Sequence, residues 1–174
     1  MTVPVLVETE LGAFTLAIES ERAPITAANF LAYVDGGHLD SATAYRIVTL
    51  ANQPAATVHK IEVVQWGLRS DEQKPSPFPA IAHETTETTG LRHRHLTISM
   101  ARFAPGSASS EFFICIGDQP ELDFGGRRNP DGQGFAAFGT VTSGEDTLMA
   151  LFARAEPDTE YPATPLKFRK VTRA

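Results

Sequence analysis

Arg46 sits in a strand-like run between Tyr45 and Ile47. An arginine there offers permanent charge and several N–H donors in a fixed fork, suited to holding a polarised carbonyl or an anion. A second apolar run, Ser109-Ser110-Glu111-Phe112-Phe113-Ile114, carries two adjacent aromatics. Strand alternation sends Phe112 and Phe113 to opposite faces, so one enters a core while the other floors an apolar pocket. Glu111 with Asp123 or Glu121 would be a carboxylate pair for hydrolysis, but the sequence does not fix their separation. His93-x-His95, with His83, is the best metal candidate, because two histidines one residue apart share a strand face. No compact carboxylate or cysteine set completes that site, and Arg92 and Arg94 interleave with it, so a loop without metal is expected. Cys115, inside Phe113-Ile114-Cys115-Ile116, reads as a buried inert thiol. Gly125-Gly126 and Gly132-Gln133-Gly134 lack phosphate-loop spacing, and Asn129-Pro130-Asp131-Gly132 is turn chemistry.

These residues need elements to position them. Val3–Val7 and Ala13–Ile18 read as strands joined through Glu10-Leu11-Gly12, a hairpin. Pro24 suits the first turn of a helix whose apolar residues run Ile25, Ala28, Phe30, Leu31, Val34, with Gly36-Gly37 as the stop. Further strands are expected at 42–48, 61–66, 96–101, 111–116, 136–141 and 166–171, with a second helix at 145–153. Residues 51–60 form a polar excursion, and 70–90 is the longest irregular segment, with Pro75, Pro77 and Pro79. Many short strands with two helices fit a closed antiparallel β-barrel of eight strands, its ends capped by helices and no sheet edge exposed.

The composition bounds the rest. A chain of 174 residues suits one domain spanning 1–174, and 42% hydrophobic with 21% charged residues is ordinary for a globular protein. The net charge of −6 argues against a broad nucleic-acid surface. The basic clusters at 92–95 and 127–128 read as solvated loops. One cysteine excludes an internal disulfide, and no run approaches the ~18 apolar residues of a membrane span. Without a basic stretch and apolar core at its start, the chain is expected in the cytoplasm, or in the periplasm if a signal peptide has been removed.

The motifs resemble, in order and over nearly the whole length, those of the cyclophilins, the prolyl cis/trans isomerases. They are Thr9-Glu10-Leu11-Gly12-Ala13-Phe14, Ala23-Pro24-Ile25-Thr26-Ala27-Ala28-Asn29-Phe30, Tyr45-Arg46-Ile47-Val48, Ser99-Met100-Ala101-Arg102, Glu111-Phe112-Phe113-Ile114, Leu122-Asp123 and Phe138-Gly139-Thr140-Val141. The resemblance implies isomerisation of X–Pro bonds in peptides and unfolded proteins, with Arg46 catalytic. It implies substrate contact by Val63, Gln65, Ala101, Arg102, Phe103, Glu111, Phe113, Glu121, Leu122 and Phe135. Gln65 is expected to accept from Arg46 and hold its fork. Alone, Arg46 reads as a rim arginine, Phe113 as core and Gln65 as solvent-facing; the motif order moves them towards function.

No cofactor or metal is expected, because no bond breaks. The X–Pro amide twists over a barrier of ~18–20 kcal/mol, so a catalyst needs only an apolar socket and a donor that prefers the twisted amide. Several positions depart from the family pattern. Glu111 stands where glutamine is usual, Glu121 where tryptophan precedes Leu-Asp, Phe135 where histidine is frequent, and Arg102 where asparagine is common. Trp66 replaces a glycine after Gln65, and the stretch between Arg46 and Gln65 is expanded, leaving the usual aromatic wall without an equivalent. Glu111 is expected beside Arg46, competing with substrate for its N–H groups, so that Glu111→Gln or acid pH raises activity. A monomer with reduced activity and weak cyclosporin binding is expected. The alternative is a proline-peptide binding module or chaperone with little catalysis.

Overall fold

The computed structural model describes residues 1–174. Its first hairpin joins β1 (Val3–Thr9) to β2 (Gly12–Ile18) in unbroken register from Val3↔Ile18 to Thr9↔Gly12. Thr9 sets the turn: its hydroxyl donates to Gly12 O and accepts from Leu11 N. Helix α1 (Pro24–Asp35) starts with Pro24 in its first turn, yet Ala23 supplies no side-chain cap. The cap comes from Glu84, whose carboxylate accepts from Ile25 N and Thr26 N at 3.2 and 2.6 Å. A negative charge there also opposes the positive end of the helix dipole.

The strands that follow are β3 (Thr43–Val48), β4 (Val63–Gly67), β5 (Thr97–Met100), β6 (Glu111–Cys115), β7 (Ala137–Ser143) and β8 (Leu166–Arg173). All pairings are antiparallel, and the order β1-β2-β7-β5-β6-β4-β3-β8 closes on itself through β1 and β8. The expected closed barrel of eight strands is therefore the observed one. Helix α3 (Glu145–Phe152) is the expected second helix. One further helical turn, α2 (Thr86–Thr89), lies in the segment read as irregular. Thr85 caps it, accepting from Thr88 N, and Gly90 ends it at φ +74°. The strand expected from Ile61 begins at Val63, because Gln53 takes both backbone groups of Ile61 into the excursion.

The core fills the barrel and the space under the helices: Phe14, Phe30, Ile47, Val64, Trp66, Ile98, Phe112, Ile114 and Phe138 belong to one buried cluster. Trp66 occupies its centre, stacked on Phe168 at 4.7 Å and edge-on to Phe14 and Phe30. A tryptophan fits beside Gly67, which holds φ +134° where a Cβ would strike Ser110 O. A second, smaller cluster lies outside the barrel wall. It comprises Val48, Ile61, Val63, Phe113, Cys115 and Leu122, with Ala101 and Phe135 packed against it. Phe112 and Phe113 thus part to opposite faces of β6, as alternation requires.

Candidate active site

The second cluster is the floor of a groove of ≈ 730 Å³, within the usual range for ligand clefts. Register builds it. Arg46 pairs with Gln65, Gln65 with Phe113, and Phe113 with Ser99, so one row crosses β3, β4, β6 and β5 on the outer face. Between Ala44↔Trp66 and Arg46↔Gln65 the register slips by one, leaving Tyr45 as a bulge residue. A bulge sets two residues opposite one, and both Tyr45 and Arg46 reach Gln65 as a result.

Arg46 Nη1 donates to Gln65 Oε1 at 2.9 Å. Its Nε and Nη2 donate to Glu160 Oε1 at 2.9 and 2.5 Å. A guanidinium has five N–H groups. These three bonds leave one N–H on each terminal nitrogen, and Arg46 lines the groove. Gln65 Nε2 donates to Tyr45 Oη at 2.7 Å, and Tyr45 donates to Glu111. Burial pushes the Tyr45 hydroxyl far up, reinforced by the Glu111 charge. Burial also raises Glu111, opposed by the Tyr45 bond and the nearby Arg69 guanidinium.

The floor rests on a polar foundation. Phe113 packs edge-on against Phe135 at 5.4 Å and stacks on the His93 ring at 6.0 Å. His93 is 2% exposed. Its Nδ1 donates to Asp123 at 2.8 Å, so Nε2 accepts from the Ser99 hydroxyl at 2.8 Å. Burial lowers the His93 ring below its ordinary value against the pull of Asp123, leaving it neutral. Burial acts to raise Asp123, but the His93 ring and backbone N–H outweigh it and hold the carboxylate low.

Of the residues expected to contact substrate, Val63, Gln65, Ala101, Arg102, Phe103, Glu111, Phe113, Leu122 and Phe135 line the groove with Arg46. Glu121 does not. It sits in a 3-10 turn, Pro120–Leu122, whose threefold repeat turns Leu122 inward and Glu121 away. There it meets His59 at 2.9 Å and Arg127 at 3.0 Å. Glu111 is not on Arg46 either, because Glu160 and Gln65 take that fork. Arg102 lines the groove, but its buried guanidinium is latched to Asp131 and Gly134 O and lies over the Phe135 ring at 5.1 Å. Phe103 stands at the rim, 92% exposed.

The basic stretch 92–95 is no simple solvated loop, since His93 is buried. His95 turns outward to Glu145, and His83 lies against Gln133 O, so the three histidines do not converge. Cys115 is buried and its thiol is pushed up by burial, as an inert cysteine would be. Arg128 is no free surface cation: it donates to Gln53 Oε1 and His59 O, clamping the excursion.

Sequence reasoning missed Glu160, Tyr161, Ile61 and Arg69, and named Tyr45 only as a flank of Arg46. Glu160 and Tyr161 arrive from the loop after α3, which Asn52 straps down by donating to Glu156 O and Thr159 O. Arg69 lies over the rings of Tyr161 and Tyr45 at 4.8 and 5.5 Å. Only Ile61 carried a readable signal, its alternation with Val63 and Gln65.

A closed antiparallel barrel of eight strands with helices at its ends is the cyclophilin fold. A solved Cryptosporidium parvum cyclophilin type peptidyl-prolyl cis-trans isomerase superposes with a TM-score of 0.77 at 18% identity, covering 100% of this chain and 98% of that one. The family described as "Cyclophilin type peptidyl-prolyl cis-trans isomerase/CLD" matches residues 4–173. The chain belongs to that family. It is 33% identical to peptidyl-prolyl cis-trans isomerase cyp18 of Streptomyces antibioticus, over 82% of this chain and 79% of that protein. It is 28% identical to peptidyl-prolyl cis-trans isomerase-like 1 of Neurospora crassa, over 98% and 93%. Against peptidyl-prolyl cis-trans isomerase B of Escherichia coli the identity is 26%, over 80% and 78%.

Proposed function

We propose that this protein turns X–Pro bonds of peptides and unfolded proteins in the groove on β3, β4, β5 and β6, with Arg46 as the catalytic donor. The observation that carries this reading is the row Arg46–Gln65–Phe113, which sets a partly engaged guanidinium beside an apolar floor. The proline ring rests on Phe113, between Leu122, Val63 and Phe135. As the amide twists, its nitrogen lone pair leaves conjugation and becomes a hydrogen-bond acceptor. The spare Arg46 N–H groups then bind the twisted amide better than the planar one, which is what lowers the barrier. Gln65 and Glu160 hold the fork so that no reorganisation is needed during the twist. Support for a proline-containing ligand comes from the Cryptosporidium parvum cyclophilin, also solved in the presence of the dipeptide Ala-Pro with a TM-score of 0.76. A monomeric state and weak cyclosporin binding belong to the same proposal.

Exchange spectroscopy on an X–Pro peptide, with the uncatalysed rate subtracted, tests it. Arg46→Ala is expected to lower kcat/KM by about 10²–10³-fold, the usual effect of losing one transition-state donor. Arg46→Lys keeps charge without the fork and falls between. An unchanged rate in Arg46→Ala sinks the role of Arg46. A wild-type protein that binds proline peptides in the groove without accelerating exchange makes it a binding module instead.

A further inference from the structure

We propose that Tyr45 and Glu111 are positioning residues for Arg46, acting through Gln65 along a hydrogen-bond chain whose two ends permit only one direction. The inference rests on the reading of Arg46 as catalytic donor. Arginine is donor-only, so Gln65 must present Oε1 to it. The Gln65 amide must then turn Nε2 towards Tyr45, whose oxygen accepts. The Tyr45 proton has one place left to go, Glu111. An ionised carboxylate is acceptor-only, which closes the chain. Without the bulge at Tyr45, the hydroxyl and the guanidinium would not share one glutamine.

The direction has a chemical consequence. With Glu111 ionised, the Gln65 amide is locked. When Glu111 gains a proton, the far end can donate as well as accept. Tyr45 is then free to turn its proton elsewhere, and the Gln65 amide is held in its orientation by Arg46 alone. Arg69 and Asp71, from the segment after β4, line the same groove as Glu111. Arg69 lies near enough to favour its charged form but makes no ion pair with it, and Asp71 is held low by the backbone of Lys74 and Gln73. The Arg102 guanidinium after β5 is turned away to Asp131. Burial raises the Glu111 carboxyl above its ordinary 4.5. The chain is therefore fixed at both ends above that raised value, and at the Arg46 end alone once the pH falls through it. Activity falls with acidification, the reverse of what competition between Glu111 and substrate would give.

Two readouts test this. In the first, the side-chain amide resonances of Gln65 are followed against pH. They are expected to titrate once, with a midpoint above 4.5, in the wild type, and to lose that titration in Glu111→Gln and in Tyr45→Phe. In the second, kcat and KM for an X–Pro peptide are measured over the same range. The wild type is expected to lose kcat on the acid side with that midpoint. Glu111→Gln and Tyr45→Phe are expected to lose the acid limb and to lower kcat at neutral pH by about 10-fold to 10²-fold, the order for a reacting group slightly misplaced. Both substitutions are close in shape to the native residue, and circular dichroism checks the fold. Gln65 resonances indifferent to pH overturn the proposal. So does an acid limb that survives in Glu111→Gln, which would belong to another group. A rise in KM alone overturns it too, since that marks Glu111 as a substrate contact. A wild type with no isomerase rate refutes the function proposed above, and the Gln65 titration still judges the chain.

Discussion

Arg46 keeps N–H groups for the groove because Glu160 and Gln65 claim three donors from its other edges. A carboxylate on the Nε side fixes the plane of the fork, while a neutral amide on the Nη1 side leaves the open edge without a counter-charge. Arg102 is used in the opposite way. All its assigned hydrogen bonds go to Phe103 O, Gly134 O and Asp131, and its guanidinium plane supports the Phe135 ring. The residue therefore shapes the groove by holding one wall. Arg102→Ala is expected to free the Asp131–Gly134 turn and let Phe135 lean into the floor. The expected loss in kcat/KM is about tenfold, the order for a small displacement of a contact group, with most of it in KM. Stopped-flow or exchange measurements on Arg102→Ala and Arg102→Lys check this; equal KM values would mean the wall stands without the latch.

Elements decide which of two neighbours faces the groove, and they do so by different repeats. In β6 the period of two splits Phe112 from Phe113. In the Pro120–Leu122 turn the tighter repeat splits Glu121 from Leu122. Cyclosporin contact in the family draws on a tryptophan at the Glu121 position. Here that side chain is tied to His59 and Arg127 and supplies neither apolar area nor an indole donor. Inhibition is expected to be weak, and Glu121→Trp to tighten it; a competition assay with both proteins decides, and tight inhibition of the wild type would contradict the account. The split in β6 was legible because alternation needs only local sequence. The places of Arg46 and Gln65 were legible through motif order. Tyr45 was not, since a bulge breaks the alternation that would locate it. Glu160 was not, since it lies 114 residues from Arg46 and no local pattern points across such a distance. Glu111 was misassigned because motif order gives the strand position but not the hydrogen-bond partner.

At the scale of the whole molecule, the groove floor and the barrel share one wall, and His93 lies beneath Phe113 on the groove side. A histidine buried neutral ties stability to pH. Its folded pKa lies below the ordinary 6.5, so its contribution is full above 6.5 and is lost as the pH falls towards the folded value. The midpoint of thermal unfolding is expected to drop on acidification from about pH 6.5. His93→Asn is expected to start lower but to lack that part of the slope. A melting temperature of the wild type that is flat between pH 7 and 5 would show that the ring is not held neutral.

The closing pair of the barrel brings Val5 opposite Arg173, and Ala174 N donates to Pro4 O at 3.0 Å. The start of β1 and the end of β8 are thus neighbours on a seam that contributes nothing to the row Arg46–Gln65–Phe113–Ser99. A short linker across that seam, with a new opening in the exposed proline-rich stretch after β4, would leave every strand beside the partners it has now. The order in which the strands are encoded is in this sense a matter of history: the groove depends on who lies next to whom around the ring, and the ring has no first member.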